Sequence, residues 1–189
     1  MHAILRQSLI IFSILCVTAC ADTPTKKNAA APDPGKRSLS EFVDDEKLTS
    51  SVYRKITRSD VDFSETHIRV TCFKGLALLT GEVPEDTLKA DAGRLAQSVE
   101  GVREIHNELQ LKSNSTMFSR TNDNGLEAKI RVKLLADRDV EGSKVHIVVE
   151  DRVVYLMGLL TREQAKLATE IVANVSGIER VVRVVDYLD

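Results

Sequence analysis

The sequence has no tryptophan, three cysteines and four prolines, and its formal net charge is −2. The cysteines are Cys16, Cys20 and Cys72, two of them within the first twenty residues. Cys72 is therefore left without an intrachain partner, and no disulfide framework holds the chain. No apolar run reaches the roughly 20 residues that a permanent membrane-spanning helix needs. A glycine-rich phosphate loop and a nucleophile elbow are both missing. His67, His106 and His146 are scattered with no helical pair, so spacing offers no zinc ligand set and no metal site is expected. The near-zero charge gives no long-range pull toward an anionic surface, and no nucleic-acid partner is expected.

What is present begins with residues 1–19. A short start carrying His2 and Arg6 precedes the apolar run Leu9 to Val17, and Val17-Thr18-Ala19-Cys20 closes the segment. A run of this length reads as a signal-peptide core rather than an anchor. The small residues leading into Cys20 resemble the lipobox of bacterial lipoprotein precursors. That resemblance implies cleavage before Cys20 and acylation of its thiol, palmitate included, with several acyl chains giving stable anchoring. Ala21 rather than aspartate after the cysteine implies sorting to the outer membrane, facing the periplasm. Residues 20–43 are rich in Thr, Lys, Asn, Ala and Pro and read as a flexible linker whose ends would lie roughly 25 to 30 Å apart.

The remaining chain is an internal repeat. Ile68-x-Val70-x-Cys72 followed by Leu76 to Gly81 lies over Val145-x-Ile147-x-Val149 followed by Val153 to Gly158, with the two glycines 77 positions apart. Ser98-Val99-Glu100-Gly101-Val102 lies over Asn174-Val175-Ser176-Gly177-Ile178 at a shift of 76. In each copy a four-residue apolar spacing (Leu48, Val52, Ile56; Leu126, Ile130, Leu134) predicts a first helix. Two strands joined by a tight turn follow, then a second helix from near Pro84 or Thr161 to Gly101 or Gly177, then a third strand. The unit is αββαβ, expected at 44–112 and 125–189 with an inter-domain segment at 113–124. Cys72 falls on an apolar strand position and reads as a buried, inert thiol.

The order αββαβ, the strand ends Leu79-Thr80-Gly81 and Leu156-Met157-Gly158, and the Val-x-Gly-Val and Val-Ser-Gly-Ile steps together resemble the BON domain. Two such units behind Cys20 resemble the dual BON-domain outer-membrane lipoproteins. The resemblance implies an α+β fold of two three-stranded mixed sheets, each with two helices on one face. It also implies no cofactor beyond the covalent lipid on Cys20, binding of anionic phospholipid by the second unit, and a role in outer-envelope integrity.

An enzyme is not expected. The positions the copies share carry Leu, Val, Ile, Ala and Gly, whereas Glu82 faces Leu159, Glu85 faces Arg162, Arg103 faces Glu179 and Asn107 faces Arg183. Glu100 with Glu108, and Asp137 with Asp139, read as solvated surface, and His146 as a half-exposed sheet residue. The first helix of the first copy presents Glu46, Lys47, Ser50 and Arg54 outward. That of the second copy carries a further apolar stripe, Ala128, Val132 and Leu135, flanked by Lys129, Arg131 and Lys133. This stripe is the candidate lipid-binding site, or else it packs against the first unit or against the segment Ser113 to Asn124. Gly125 stands where lipid-binding relatives carry a large aromatic, with Met117 and Phe118 as substitutes upstream. The alternative function is a periplasmic protein-interaction scaffold for outer-membrane assembly or division machinery, using the sheet face that bears Val148 and Val154.

Overall fold

The computed structural model describes residues 33, 35–112 and 117–189. The signal segment, Cys20 and most of the expected linker lie outside them. Two αββαβ units follow one another. The first comprises α1 (Leu39–Thr57), β1 (His67–Phe73), β2 (Leu76–Val83), α2 (Asp86–Gln97) and a third strand in two pieces, β3 (Glu104–Asn107) and β4 (Gln110–Leu111). The second comprises α3 (Met117–Ala136), β5 (His146–Glu150), β6 (Val153–Leu160), α4 (Arg162–Ala173) and β7 (Arg180–Tyr187). In each sheet the central strand is antiparallel to the hairpin strand before it and parallel to the strand after it. Among the described residues no helix is long and apolar enough to cross a membrane.

Local chemistry fixes the element ends. Thr161 caps α4 through a reciprocal pair with Gln164, the Thr161 hydroxyl accepting the Gln164 N–H at 3.1 Å and Gln164 Oε1 accepting the Thr161 N–H at 3.0 Å. Pro84 stands just ahead of α2, whose cap is Glu85. The helices end at Gln97 and Ala173, ahead of the glycines expected as caps. Gly101 (φ +96°) and Gly177 (φ +101°) instead turn the chain toward the third strand. The hairpin turns put Lys74 and Gly75, and Asp151 and Arg152, at positive φ, as a type I′ turn requires.

The starts of both first helices differ from the boundaries read in the sequence. Helix α1 begins at Leu39 rather than near 44, because Ser38 and Glu41 form a capping box, Glu41 Oε2 accepting the Ser38 N–H at 2.7 Å. Farther upstream, Lys144 Nζ lies 2.8 Å from Asp33 Oδ2, and Arg37 Nη2 lies 3.4 Å from His146 Nδ1. Residues assigned to the linker thus belong to the folded body. Helix α3 likewise begins at Met117, so much of the expected 113–124 segment is helical.

Three apolar layers hold the body together. One packs α1 and α2 on the first sheet, through Val52, Ile56, Ala92 and Ala96 against Val70, Ala77 and Leu79. A second packs α3 and α4 on the other sheet, through Leu126, Ile130, Leu134, Ala168 and Val172 against Ile147, Val149 and Leu156. The third joins the opposite faces of the two sheets: Phe73, Leu76 and Leu78 meet Val148, Val153, Tyr155, Met157 and Val184. The layers therefore run helices, sheet, sheet, helices. Strand β2 is buried at every position, which explains the apolar run Leu76 to Leu79, since a strand covered on both faces favours apolar residues; Thr80 and Glu82 are its buried polar exceptions.

Candidate functional site

The outer face of α3 is uncovered. Leu126, Ile130 and Leu134 take the inward side and are buried. On the other side Ala128 is exposed, and Val132 and Leu135 keep 68% and 60% of their accessible surface. Packing of this stripe against the first unit, one of the other expectations for it, is thereby overturned. Lys129, Arg131 and Lys133 are exposed beside it. Arg131 is held by Glu127 one turn back at 2.9 Å, and Glu127 also faces Arg69 at 3.8 Å. Lys129 and Lys133 make no ion pair among the described residues. At about 1 kcal/mol per basic group at an anionic surface, the two lysines supply about 2 kcal/mol. Gly125 is exposed, and a methyl group added there would meet nothing within 4 Å. Met117 and Phe118 fall on the part of α3 whose side chains lie outside the described residues.

Two other surfaces differ from expectation. The outer side of α1 is not purely polar, because its added first turn exposes Leu39 at 81%, with Phe42, Val43 and, farther along, Tyr53. The sheet face proposed as an alternative interface is unavailable: Val148 and Val154 are both fully buried, Val148 between the sheets and Val154 beneath α3 and α4. The two residues are adjacent in the β5–β6 register by one step, so they point to opposite faces and never shared one.

The isolated polar groups are mostly structural. Burial pushes the Cys72 thiol up to about 11, which suits an inert thiol. His146 is driven down to about 4 by burial and then by Arg37, Arg131 and Arg69, and so stays neutral. Asp137 accepts the backbone N–H groups of Asp139 and Val140 at 2.9 and 3.1 Å, closing a turn. Glu108 lies 3.9 Å from Arg180 of the other unit.

Sequence reasoning missed two buried aspartates at matching places. Asp45 accepts the Lys74 N–H at 2.7 Å and meets Arg37 at 3.1 Å. Asp123 accepts the N–H groups of Asp151 and Arg152 at 2.7 and 3.0 Å. Each ties the first helix of its unit to the hairpin turn. Their signal is an Asp three residues before the first core leucine in both copies, Asp45 before Leu48 and Asp123 before Leu126. Missed as well is a polar cluster at one end of the sheet-to-sheet contact. His67 and Glu82 are cross-strand partners on β1 and β2, and Glu150 comes from β5. Along the chain they are far apart, so spacing gave no metal ligand set, but the fold brings their ligand atoms within 4.8 Å of one another.

Two duplicated αββαβ units, each a mixed sheet with two helices on one face, define a tandem α+β repeat. The family model described as the BON domain matches residues 44–113 and 122–189. The chain belongs to the BON-domain family and carries two copies of that domain. It is 31% identical over 179 residues to the outer membrane lipoprotein DolP of Haemophilus influenzae, covering 95% of this chain and 92% of that one. Over 152 residues it is 32% identical to the 21 kDa hemolysin of Actinobacillus pleuropneumoniae, covering 80% and 78%. It is also 26% identical to the osmotically-inducible protein Y of Escherichia coli K12, covering 85% and 81%.

Proposed function

We infer that this chain is a non-enzymatic lipoprotein of the outer membrane, anchored through lipid on Cys20 and facing the periplasm. The outer face of α3 binds anionic phospholipid and in this way supports the integrity of the envelope. The observation that carries the reading is the exposure of Val132 and Leu135 beside two lysines without ion pairs among the described residues. An apolar stripe with cations on its flank suits the boundary between acyl chains and headgroups. The near end-to-end similarity to a protein named as an outer membrane lipoprotein supports the compartment. The thirteen residue-to-residue steps from Cys20 to Asp33 span at most about 45 Å, at roughly 3.3 to 3.6 Å each. A body held this close meets its membrane at an effective concentration of about millimolar, so a contact of a few kcal/mol is sufficient to orient it.

The test uses the chain with Cys20→Ser, so that no acyl group contributes, and vesicles of phosphatidylglycerol or of phosphatidylcholine. Flotation with the anionic vesicles alone is expected, and Lys129→Glu with Val132→Glu abolishes it while circular dichroism stays native. Undiminished flotation of the double variant refutes the site. A second reading, a protein-interaction scaffold for envelope assembly or division, is favoured by the exposed Leu39, Phe42 and Val43 of α1. Under it, partner capture survives the α3 substitutions and is lost with Phe42→Glu.

A further inference from the structure

The cluster at the seam between the two sheets asks for an explanation that the lipid reading does not supply. Glu82 is 1% exposed, and neither of its carboxylate oxygens has a hydrogen-bond partner. A buried carboxylate without a partner is strongly disfavoured, and such groups call for an ion or another compensating ligand. Its surroundings supply the rest of a coordination shell. His67 stands opposite Glu82 in the β1–β2 register, and His67 Nε2 lies 3.3 Å from Glu150 Oε1. Glu150 is 5% exposed.

We propose that His67, Glu82 and Glu150 bind one divalent cation, with zinc the best match, and that the ion clasps the two BON units together. The three ligand atoms lie within 4.8 Å of one another, a spread that closes onto a tetrahedral ion with small side-chain adjustments. One nitrogen and two carboxylate oxygens suit zinc or a neighbouring transition ion better than calcium, which takes six to eight oxygens. Two carboxylates and a neutral imidazole carry a charge that a dication cancels. A cavity of about 160 Å³ lined by His67, Arg69, Asp123, Asn124, Val149 and Glu150 adjoins two of the three ligands. This space admits water and a small ion and excludes a larger substrate. The guanidinium of Arg69 is turned toward Glu127 at 3.8 Å and the Val149 carbonyl at 3.5 Å. Two ligands come from the first unit and one from the second, so the bound ion adds a cross-link at one end of the sheet-to-sheet layer.

The experiment is equilibrium dialysis of the metal-stripped full chain in detergent against zinc chloride, with thermal unfolding followed in parallel. One zinc per chain is expected, together with a rise in melting temperature on zinc addition. Glu82→Gln and, separately, Glu150→Gln each weaken binding by about 100-fold and remove the thermal response. His106→Gln, whose ring pairs with Glu104 at the surface, leaves both unchanged. The two glutamine variants are checked for native circular dichroism, and the one that folds is decisive where the other does not. Absence of zinc uptake, or uptake undiminished in a folded glutamine variant, overturns the proposal. Vesicle binding by α3 stands or falls separately, because Lys129 and Val132 contribute nothing to the cluster.

Discussion

The pair of buried aspartates makes a quantitative prediction. Replacing Asp123 by alanine removes an acceptor that is 4% exposed and holds two backbone N–H groups at 2.7 and 3.0 Å. Hydrogen bonds to a charged group contribute about 1.5 to 3 kcal/mol each. Asp151 is half-buried and Arg152 exposed, so water reaches the freed N–H groups and the lower end of the range applies. The loss is then about 3 kcal/mol. That carboxylate also helps to hold Asp151 and Arg152, two non-glycine residues, in the left-handed region. For a body of this size each kcal/mol moves the melting temperature by roughly 2 to 4 °C, giving a drop of about 6 to 12 °C. Asp123→Asn keeps one acceptor oxygen and falls about halfway. Asp45→Ala, which loses one backbone N–H and the Arg37 pair, behaves similarly in the first unit. Urea unfolding followed by circular dichroism measures all three. A loss below about 1 kcal/mol for Asp123→Ala would refute the argument that the carboxylate fastens helix to turn.

Acid sensitivity follows from His146. Its folded value of about 4 lies below the ordinary 6.5, so the unfolded chain takes up the proton first, and stability present above pH 6.5 is lost as pH falls toward 4. The loss is about 3 kcal/mol across that window, and His146→Gln flattens this part of the curve; an unchanged slope from pH 6.5 to 4.5 contradicts it. Cys72, pushed up to about 11, stays unreactive toward a thiol reagent at pH 8 until urea unfolds the chain, and labelling at the rate of a free thiol would disprove its burial. Leu78→Ala opens a hole between the sheets and costs about 2 to 5 kcal/mol. Because that layer is shared, amide exchange rises in β6 as well as β2, and a rise confined to β2 argues against mechanical coupling of the units.

The repeat was legible because each copy must bury the same faces: apolar spacing in Leu48, Val52 and Ile56 and its echo in Leu126, Ile130 and Leu134 mark the inward sides of α1 and α3. The outer stripe of α3 was legible for the same reason, since the count of apolar residues exceeded what one sheet can cover. The start of α1 was hidden because Pro32, Pro34 and Gly35 lower the local apolar content, while the deciding signal, Ser38 with Glu41, is a cap and not a pattern. The contact between the sheets left its trace in the unbroken run from Val153 to Met157. Which strands would meet across it depended on docking, a long-range event to which periodicity is blind. Glu82 reads as an ordinary polar residue near a strand end until β5 of the other unit closes over it.

Back-to-back sheets leave the molecule with two helical exteriors that look in opposite directions. If α3 and α4 rest on lipid, α1 and α2 are held up on the far side of the two sheets. Duplication here does not double one surface. It produces a body whose two helical ends are unlike.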